Sequence, residues 1–234
     1  MPCETVPERR HFMSRINSTR RGCKDVFHAF MVNNSTYDSE LEIPCIKPEE
    51  ALPKKIISFS KAVGGADYGA WIHFYEDDVA FERLWNNPFR YLPMLKRYSG
   101  VIAPDFSLYR DMPLVMQFWN IYRSHAVATW LQSEGVPVIA NVRWGDSRTY
   151  SACCAGVPRK SAIAIGSHGC LKLSRERRYF AQGLRNVVDT LCPSTIVVYG
   201  AAPGNIFDRY KKDGIAILQF DSDFAVVHRK AVNY

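Results

Sequence analysis

Short, continuous apolar runs alternate with longer amphipathic segments from residue 56 to the end of the chain. Each run is short enough to be a single strand. Because the runs do not alternate between apolar and polar positions, they indicate strands that are buried on both faces, as in a parallel sheet. Seven strands are predicted: Ile56–Phe59, Trp71–Tyr75, Val101–Ala103, Val136–Val142, Ser161–Ile165, Thr195–Tyr199 and Ile215–Phe220.

The segments between these strands have helical spacing. One helix is predicted over Phe81–Tyr98, with a break near Pro88. Asp111 is a good N-cap for a second helix that has Pro113 in its first turn and ends near Glu134. Further helices are predicted over three segments: Ser147–Ala155, Arg175–Leu191 and Pro203–Lys212.

The alternation of strands and helices predicts an α/β fold with a mostly parallel sheet. Six or seven such units fit a small or incomplete (β/α) barrel, or alternatively an open doubly wound sheet. No glycine-rich fingerprint follows the first strand, which favours the barrel. Residues 1–55 are expected to be an irregular N-terminal extension, and residues 56–234 a single α/β domain.

Composition narrows the class of protein further. The chain has 234 residues, of which 47% are hydrophobic, so it can bury a full core. No apolar run is long enough to cross a bilayer, and the charged N-terminus does not resemble a secretory signal. Seven cysteines, an odd number, favour reduced thiols. We therefore expect a cytoplasmic protein with no membrane partner.

The formal net charge of +7 is compatible with nucleic-acid or phosphate partners, although a solvated basic surface explains it equally well. Residues 1–30 come nearest to a basic arm, with six Lys and Arg against three Asp and Glu. One hypothesis is therefore a DNA-binding module that uses these N-terminal arginines.

Polar side chains follow the strands at their carboxyl ends, where ligand sites lie in both candidate folds. Any one of these residues can also be explained as ordinary loop chemistry. The predicted catalytic residues are Asp105, Asp146 and His168. The predicted substrate-binding residues are Asn141, Arg143, Trp144, Tyr109 and Tyr199. Two further carboxylates, Asp77 and Asp78, are candidates for holding Mg²⁺.

The segment Arg143–Asp146 combines a planar guanidinium, an indole face and a carboxylate, which together suit a nucleotide or a sugar phosphate. An internal Arg–Asp pair with the indole as packing is an equally good interpretation. Gln117, Asn120 and Arg123 recur every third residue on an otherwise apolar helix. Such a buried polar stripe must be satisfied, and we expect it to brace the strand-end loops.

Between Phe74 and Gly200, three motifs follow one another along the chain: Pro104–Tyr109, Arg143–Asp146 and Ser167–Cys170. In this order they resemble an uncharacterised domain family of phages, integrative elements and bacterial genomes. The family carries no established activity, so it implies no catalytic residues. It does imply a cytoplasmic protein of phage or mobile-element character, for which DNA or nucleotide metabolism, or interference with host defence, becomes more plausible.

Two functional hypotheses use the same strand-end pocket. In the first, the protein is an enzyme acting on a nucleotide or nucleic acid, as a phosphoester- or nucleotide-directed hydrolase or transferase. In the second, it binds such a ligand without catalysis, as a replication accessory or a sequestering anti-defence factor.

Overall fold

The computed structural model describes Asp25, residues 27–65 and residues 67–226. The six basic residues that precede Asp25 therefore lie outside the described residues. The described chain begins with a 3-10 turn at Ala29–Val32, followed by β1 (Tyr37–Asp38) and β2 (Ile43–Pro44), which pair antiparallel.

A seven-stranded parallel sheet forms the centre of the fold, and its strands lie side by side in chain order. These strands are β3 (Ile56–Ser58), β4 (Trp71–His73), β5 (Gly100–Ile102), β6 (Val138–Asn141), β7 (Ala162–Gly166), β8 (Thr195–Tyr199) and β9 (Ala216–Phe220). Because the order never reverses, the sheet has no topological switch point, and the doubly wound alternative is wrong. The predicted parallel α/β fold is confirmed.

Helices connect the strands and cover the outer face of the sheet. They are α1 (Phe59–Val63), α2 (Asp78–Asn86), α3 (Pro88–Leu95), α4 (Leu114–Ser133), α5 (Tyr150–Cys154), α6 (Ser174–Leu191) and α7 (Gly204–Lys212), with a 3-10 turn at Ser147–Thr149 before α5. Right-handed crossovers between sequential parallel strands place successive helices on the same face. This face holds the larger hydrophobic core, in which Leu84, Leu131 and Leu184 pack against alternate strand residues.

The sheet curls strongly, as the barrel-like interpretation predicts. In a flat sheet, four strand spacings would separate β4 and β8 by about 19 Å. Yet Tyr75, just beyond β4, stacks on Tyr199 at the end of β8 with the ring centroids 4.7 Å apart. At the outer strands, Lys61 of α1 forms a 2.7 Å ion pair with Asp223, which follows β9. The sheet is therefore a half-barrel with these tyrosines on its concave side.

A second, smaller apolar cluster fills the concave side below the tyrosines. It consists of Trp71, Ile102, Ile139, Ala164 and Val197, one residue from each of the five central strands. The Trp71 ring lies directly over Gly100, where an added Cβ would come within 2.7 Å of three ring atoms. The glycine therefore makes room for the one large side chain in the cluster, and the floor of the half-barrel is closed by packing.

The helix boundaries confirm one sequence prediction and correct another. Pro88 starts a new helix, so the predicted break near Pro88 is confirmed and the segment over Phe81–Tyr98 forms two helices. Asp111 does not cap α4, because the chain turns between Tyr109 and Met112 and the helix begins after Pro113.

Within the described residues, no helix combines the length and apolar character needed to cross a membrane.

Part of the segment expected to be an irregular extension packs into the larger core. Met31, Val32 and Ile43 are almost fully buried there. The buried His125 ring of α4 lies with Nδ1 2.9 Å from the Pro44 carbonyl oxygen. Because a carbonyl only accepts, Nδ1 carries the proton. Burial lowers the pKa of His125 to about 4.

Candidate functional site

A cavity of about 990 Å³ opens at the carboxyl ends of the central strands. Each wall comes from a strand-end loop or from the first turns of α6. The lining includes Tyr75, Glu76 and Asp77 after β4, Asp105 and Ser107 to Asp111 after β5, Val142 to Gly145 after β6, Gly166 and His168 to Cys170 after β7, residues of α6, and Tyr199. Its size is at the upper end of the range for small-molecule sites, which is about 300–1,000 Å³.

An ion pair between Asp105 and Arg143 joins the loops after β5 and β6 in this cavity. One guanidinium nitrogen of Arg143 donates to Oδ2 of Asp105. Asn141 donates to the other carboxylate oxygen at 2.8 Å and accepts a 2.9 Å hydrogen bond from the Tyr75 hydroxyl. The Arg143 side chain keeps 33% of its surface exposed, whereas Asp105 keeps only 7%. The buried Asp105 carboxylate therefore orients the Arg143 guanidinium, which stays partly exposed to the cavity.

Burial and the attraction between the two charges together set the pKa values of this pair. Burial raises the pKa of Asp105, and the Arg143 guanidinium and the Asn141 amide oppose the rise only in part. Burial alone would lower the pKa of Arg143, but the nearby carboxylate reverses this and the net direction is upward. Arg143 thus stays cationic, and the carboxylate beside it depends on that cation for compensation.

Aromatic rings line the cavity next to the ion pair. Tyr75 and Tyr199 stack at an interplanar angle of 11°, and the buried His73 ring lies 4.6 Å from Tyr199. His73 Nδ1 accepts a 3.2 Å hydrogen bond from the Tyr75 backbone nitrogen, so this ring is neutral. Burial lowers the pKa of His73 to about 4. Tyr109, 58% exposed, adds a further ring at the rim.

Trp144 lies against α6 in the cavity wall. Its ring centroid is 5.5 Å from that of Phe180, and a Cβ built on Gly183 would overlap its pyrrole edge. A residue with a side chain at position 183 cannot coexist with the indole in this place. The packing interpretation of Trp144 and its role as a cavity-lining ring are thus compatible.

We expect Gly183→Ala to lower the free energy of unfolding by about 1–2 kcal/mol, because the indole must move. An exposed helical glycine would show the opposite sign, since alanine is the better helix former. Urea unfolding measures the change. In a Trp144→Phe background the same substitution should cost much less, and an equal cost in both backgrounds would contradict this packing.

The loop over residues 103–113 forms one wall and is fixed by α4. Asn120 donates to the Ser107 carbonyl at 2.7 Å, Gln117 to the Met112 carbonyl at 3.0 Å, and Ser124 to the Pro104 carbonyl at 2.6 Å. The polar stripe of this otherwise apolar helix therefore satisfies loop carbonyls. Its third member, Arg123, donates to Asn120 Oδ1 at 2.7 Å and to Glu82 at 2.6 Å.

Several lining residues escaped the sequence analysis, among them four where the loop after β5 meets α6: Arg110, Arg175, Glu176 and Tyr179. Arg110 forms a bidentate pair with Glu176 at 2.6 and 2.7 Å and lies 4.2 Å above the Tyr179 ring. This pair connects the loop after β5 to the start of α6. Arg175, the first residue of the helix predicted over Arg175–Leu191, also lines the cavity. These α6 residues could have been predicted, because α6 follows β7 and its first turn therefore lies near the carboxyl ends of the strands.

Three of the predicted catalytic, substrate-binding and metal-binding residues do not line the cavity. Asp146 caps the 3-10 turn by accepting from the Arg148 backbone nitrogen at 3.0 Å, and it also pairs with the Arg148 guanidinium. Asp78 accepts from the Ser107 hydroxyl at 2.8 Å and from the Ser107 backbone nitrogen. Asn141 lies beneath the cavity, where it contacts Asp105 and Tyr75.

Asp77 and His168 reach the cavity as exposed side chains at its rim. The His168 ring centroid is 6.4 Å from that of Tyr199. In the described part of the chain, no group of three or more His, Cys, Asp or Glu side chains is arranged to hold a metal ion. The two aspartates predicted for Mg²⁺ therefore do not form a ready-made metal site.

The cavity lining is acidic by formal charge. It contains five carboxylates, Glu76, Asp77, Asp105, Asp111 and Glu176, against the three arginines Arg110, Arg143 and Arg175. Two of the arginines already pair with carboxylates, namely Arg110 and Arg143. The formal charge of the lining thus does not favour a long polyanion inside the cavity.

The chain is similar to two curated phage proteins. It is 34% identical over 186 residues to the Gene 1 protein of Mycobacterium phage L5, covering 78% of this chain and 80% of that protein. It is 32% identical over 186 residues to the Gene 1 protein of Mycobacterium phage D29, covering 78% and 68%. No solved structure matches the chain. Residues 35–221 match the family described as "Domain of unknown function (DUF4417)", so the resemblance to an uncharacterised phage-associated family is confirmed and the chain belongs to that family.

Proposed function

We propose that this phage-type protein binds a nucleotide-sized ligand, with one anionic group on Arg143 and a planar ring against the aromatic lining. The observation that carries the proposal is the placement of Arg143. Asp105 accepts a hydrogen bond from one nitrogen of the guanidinium, and the Arg143 side chain, 33% exposed, lines a cavity of about 990 Å³. A planar, oriented guanidinium is suited to phosphate or carboxylate oxygens.

The aromatic rings around Arg143 favour a ligand that has a planar group. Tyr109 is largely exposed at the rim, and Trp144 and Tyr199 are partly or wholly held by packing. Bases stack on such faces with about 1–3 kcal/mol per base in single-strand complexes. A nucleotide offers both a planar base and an anion, whereas a simple anion would leave the rings unused.

The acidic lining adds a requirement for a cation. A phosphate entering beside five carboxylates is less repelled if Mg²⁺ accompanies it. Mg²⁺ commonly binds through one or two carboxylates together with phosphate oxygens of the substrate. Asp77, exposed at the rim, is the candidate protein ligand of such a complex.

Titration calorimetry with nucleoside mono-, di- and triphosphates, with and without Mg²⁺, tests the proposal. We expect Arg143→Lys to weaken binding about 10- to 100-fold, because the ammonium keeps the charge beside Asp105 but loses the planar donors. The conservative change leaves the buried carboxylate compensated, so the variant remains folded.

Arg90→Lys on α3 is the matched control, since Arg90 is absent from the cavity lining. It should bind like the unmodified protein. Failure of every nucleotide to bind at millimolar concentration, or equal binding by the two lysine variants, would refute the proposal.

A second candidate is catalysis on the same ligand as a hydrolase or transferase. Burial raises the pKa of Asp105, which is the direction expected for a general acid, and His168 lies at the rim. Against it, Asp105 is committed to Arg143 and Asn141, and Asp146 to Arg148. Product formation during long incubation, abolished by His168→Ala, would support catalysis.

A further inference from the structure

The basic charge of the chain is distributed very unevenly. Residues 25–226 carry 22 Lys and Arg against 21 Asp and Glu, so this part is almost neutral. Within it, residues 172–185 carry five basic residues against one acidic residue. The single acid, Glu176, is already paired with Arg110. The segment over residues 172–185, which begins just before α6 and ends in its second half, is therefore a concentrated cationic surface on an otherwise balanced body.

Helical geometry aligns three of these cations. At 100° per residue, Arg175, Arg178 and Arg185 fall within an arc of about 80°. Phe180, Leu184 and Val187 of the same helix are buried on the far side. We call the three arginines the α6 ridge. It extends for about 15 Å along the helix.

The α6 ridge is continuous with the cavity and exposed. Arg175 lines the cavity mouth, and all three side chains are exposed. Among the described residues, Arg178 has no ion-pair partner, and Arg185 has only Asp189, 3.9 Å away with both side chains 69% exposed. A pair of that kind contributes little stability, so it leaves Arg185 available to a partner.

We propose that the α6 ridge binds the sugar-phosphate backbone of a single-stranded nucleic acid, of which one nucleotide enters the cavity. The inference deepens the proposed function by naming a strand as the ligand. The acidic lining does not favour a long polyanion, whereas the ridge lies just outside it and supplies the missing positive charge. A linear row of guanidinium groups is suited to the repeated phosphates of a strand.

The test measures the binding of a fluorescent 12-nucleotide single-stranded DNA by anisotropy at different salt concentrations. The ridge variant carries Arg178→Ala with Arg185→Ala. Losing two phosphate contacts should reduce the slope of log K against log salt by about 1.4. Between 50 and 200 mM salt, the unmodified protein should therefore lose about sevenfold more affinity than the ridge variant.

The control variant carries Lys211→Ala with Lys212→Ala, which removes the same charge from exposed positions on α7. Both variants keep residues 1–24, so any contribution of the basic arm is common to them. Equal slopes for the two variants would overturn the inference, and so would absence of DNA binding at 50 mM salt.

Two further measurements distinguish this inference from the proposed nucleotide binding and from binding to a membrane. Mononucleotide binding should be unchanged in the ridge variant, because neither substituted residue lines the cavity. If nucleotides bind but the ridge variant behaves like the control, only the strand inference fails. If the ridge variant instead loses binding to phosphatidylserine vesicles while DNA binding persists, the ridge is a membrane-directed surface and the inference is wrong.

Discussion

Lowering the pH from 7 to 4.5 is expected to remove about 5 kcal/mol of stability through two buried histidines. Burial lowers the pKa of His73 and of His125 from 6.5 to about 4. The unfolded chain therefore takes up these protons first. Their contribution is complete above about pH 6.5 and is lost as the pH falls towards 4, at about 1.4 kcal/mol per pH unit for each ring.

Urea unfolding at the two pH values measures this loss. His73→Asn with His125→Asn is the informative variant, because an asparagine amide can accept from the Tyr75 nitrogen and donate to the Pro44 carbonyl as the two Nδ1 atoms do. The substitution costs packing at both pH values, so the comparison concerns only the difference between them. The same pH difference in the double variant as in the unmodified protein would show that other groups cause the acid sensitivity.

Arg143→Met should destabilise the protein by about 3–5 kcal/mol at neutral pH, because it leaves the Asp105 carboxylate buried without its cation. Asp105 keeps only 7% of its side-chain surface exposed, and Asn141 alone cannot replace the lost charge. Adding Asp105→Asn should recover most of the loss. Arg148→Met, which breaks the exposed pair with Asp146, should cost no more than about 1 kcal/mol.

The cost of Arg143→Met also has a characteristic pH dependence. Burial already raises the pKa of Asp105, and removing the guanidinium raises it further. A carboxyl group with a raised pKa in the folded state favours folding below its unfolded pKa, and this contribution is lost as the pH rises. The deficit relative to the unmodified protein should thus be larger at pH 8 than at pH 5. A deficit that is independent of pH would argue against a buried, uncompensated carboxylate.

The fold was largely readable from the sequence because the strands are unbroken apolar runs. Apolar strand residues such as Ile163 and Val198 are fully buried, as their unbroken runs predict. The regular alternation of strands and helices leaves few possible topologies for the sheet. Boundaries were less accurate where backbone preference and tertiary contacts compete. Phe59 has a strand-like side chain, yet the chain turns into α1 there. Met31 and Ile43 were missed because the 3-10 turn and the two-residue strand that hold them are too short to carry a periodic pattern.

The candidate site was only partly predictable. The carboxyl-end rule indicated Asp105, Arg143 and Tyr199, since it follows from parallel topology alone. It does not say whether a polar side chain points into the cavity or caps a turn, as Asp146 does. It also gives no hint of pairs between distant segments, such as Arg110 with Glu176, which lie 66 residues apart.

The hydrogen bonds that Gln117, Asn120 and Ser124 of α4 make to the loop over residues 103–113 bear on affinity. Ordering a flexible backbone costs about 1–2 kcal/mol of free energy per residue. Because this loop is already ordered in the folded protein, ligand binding does not incur that cost again. A ligand thus encounters a preorganised surface, and little of its contact energy is diverted into ordering the chain.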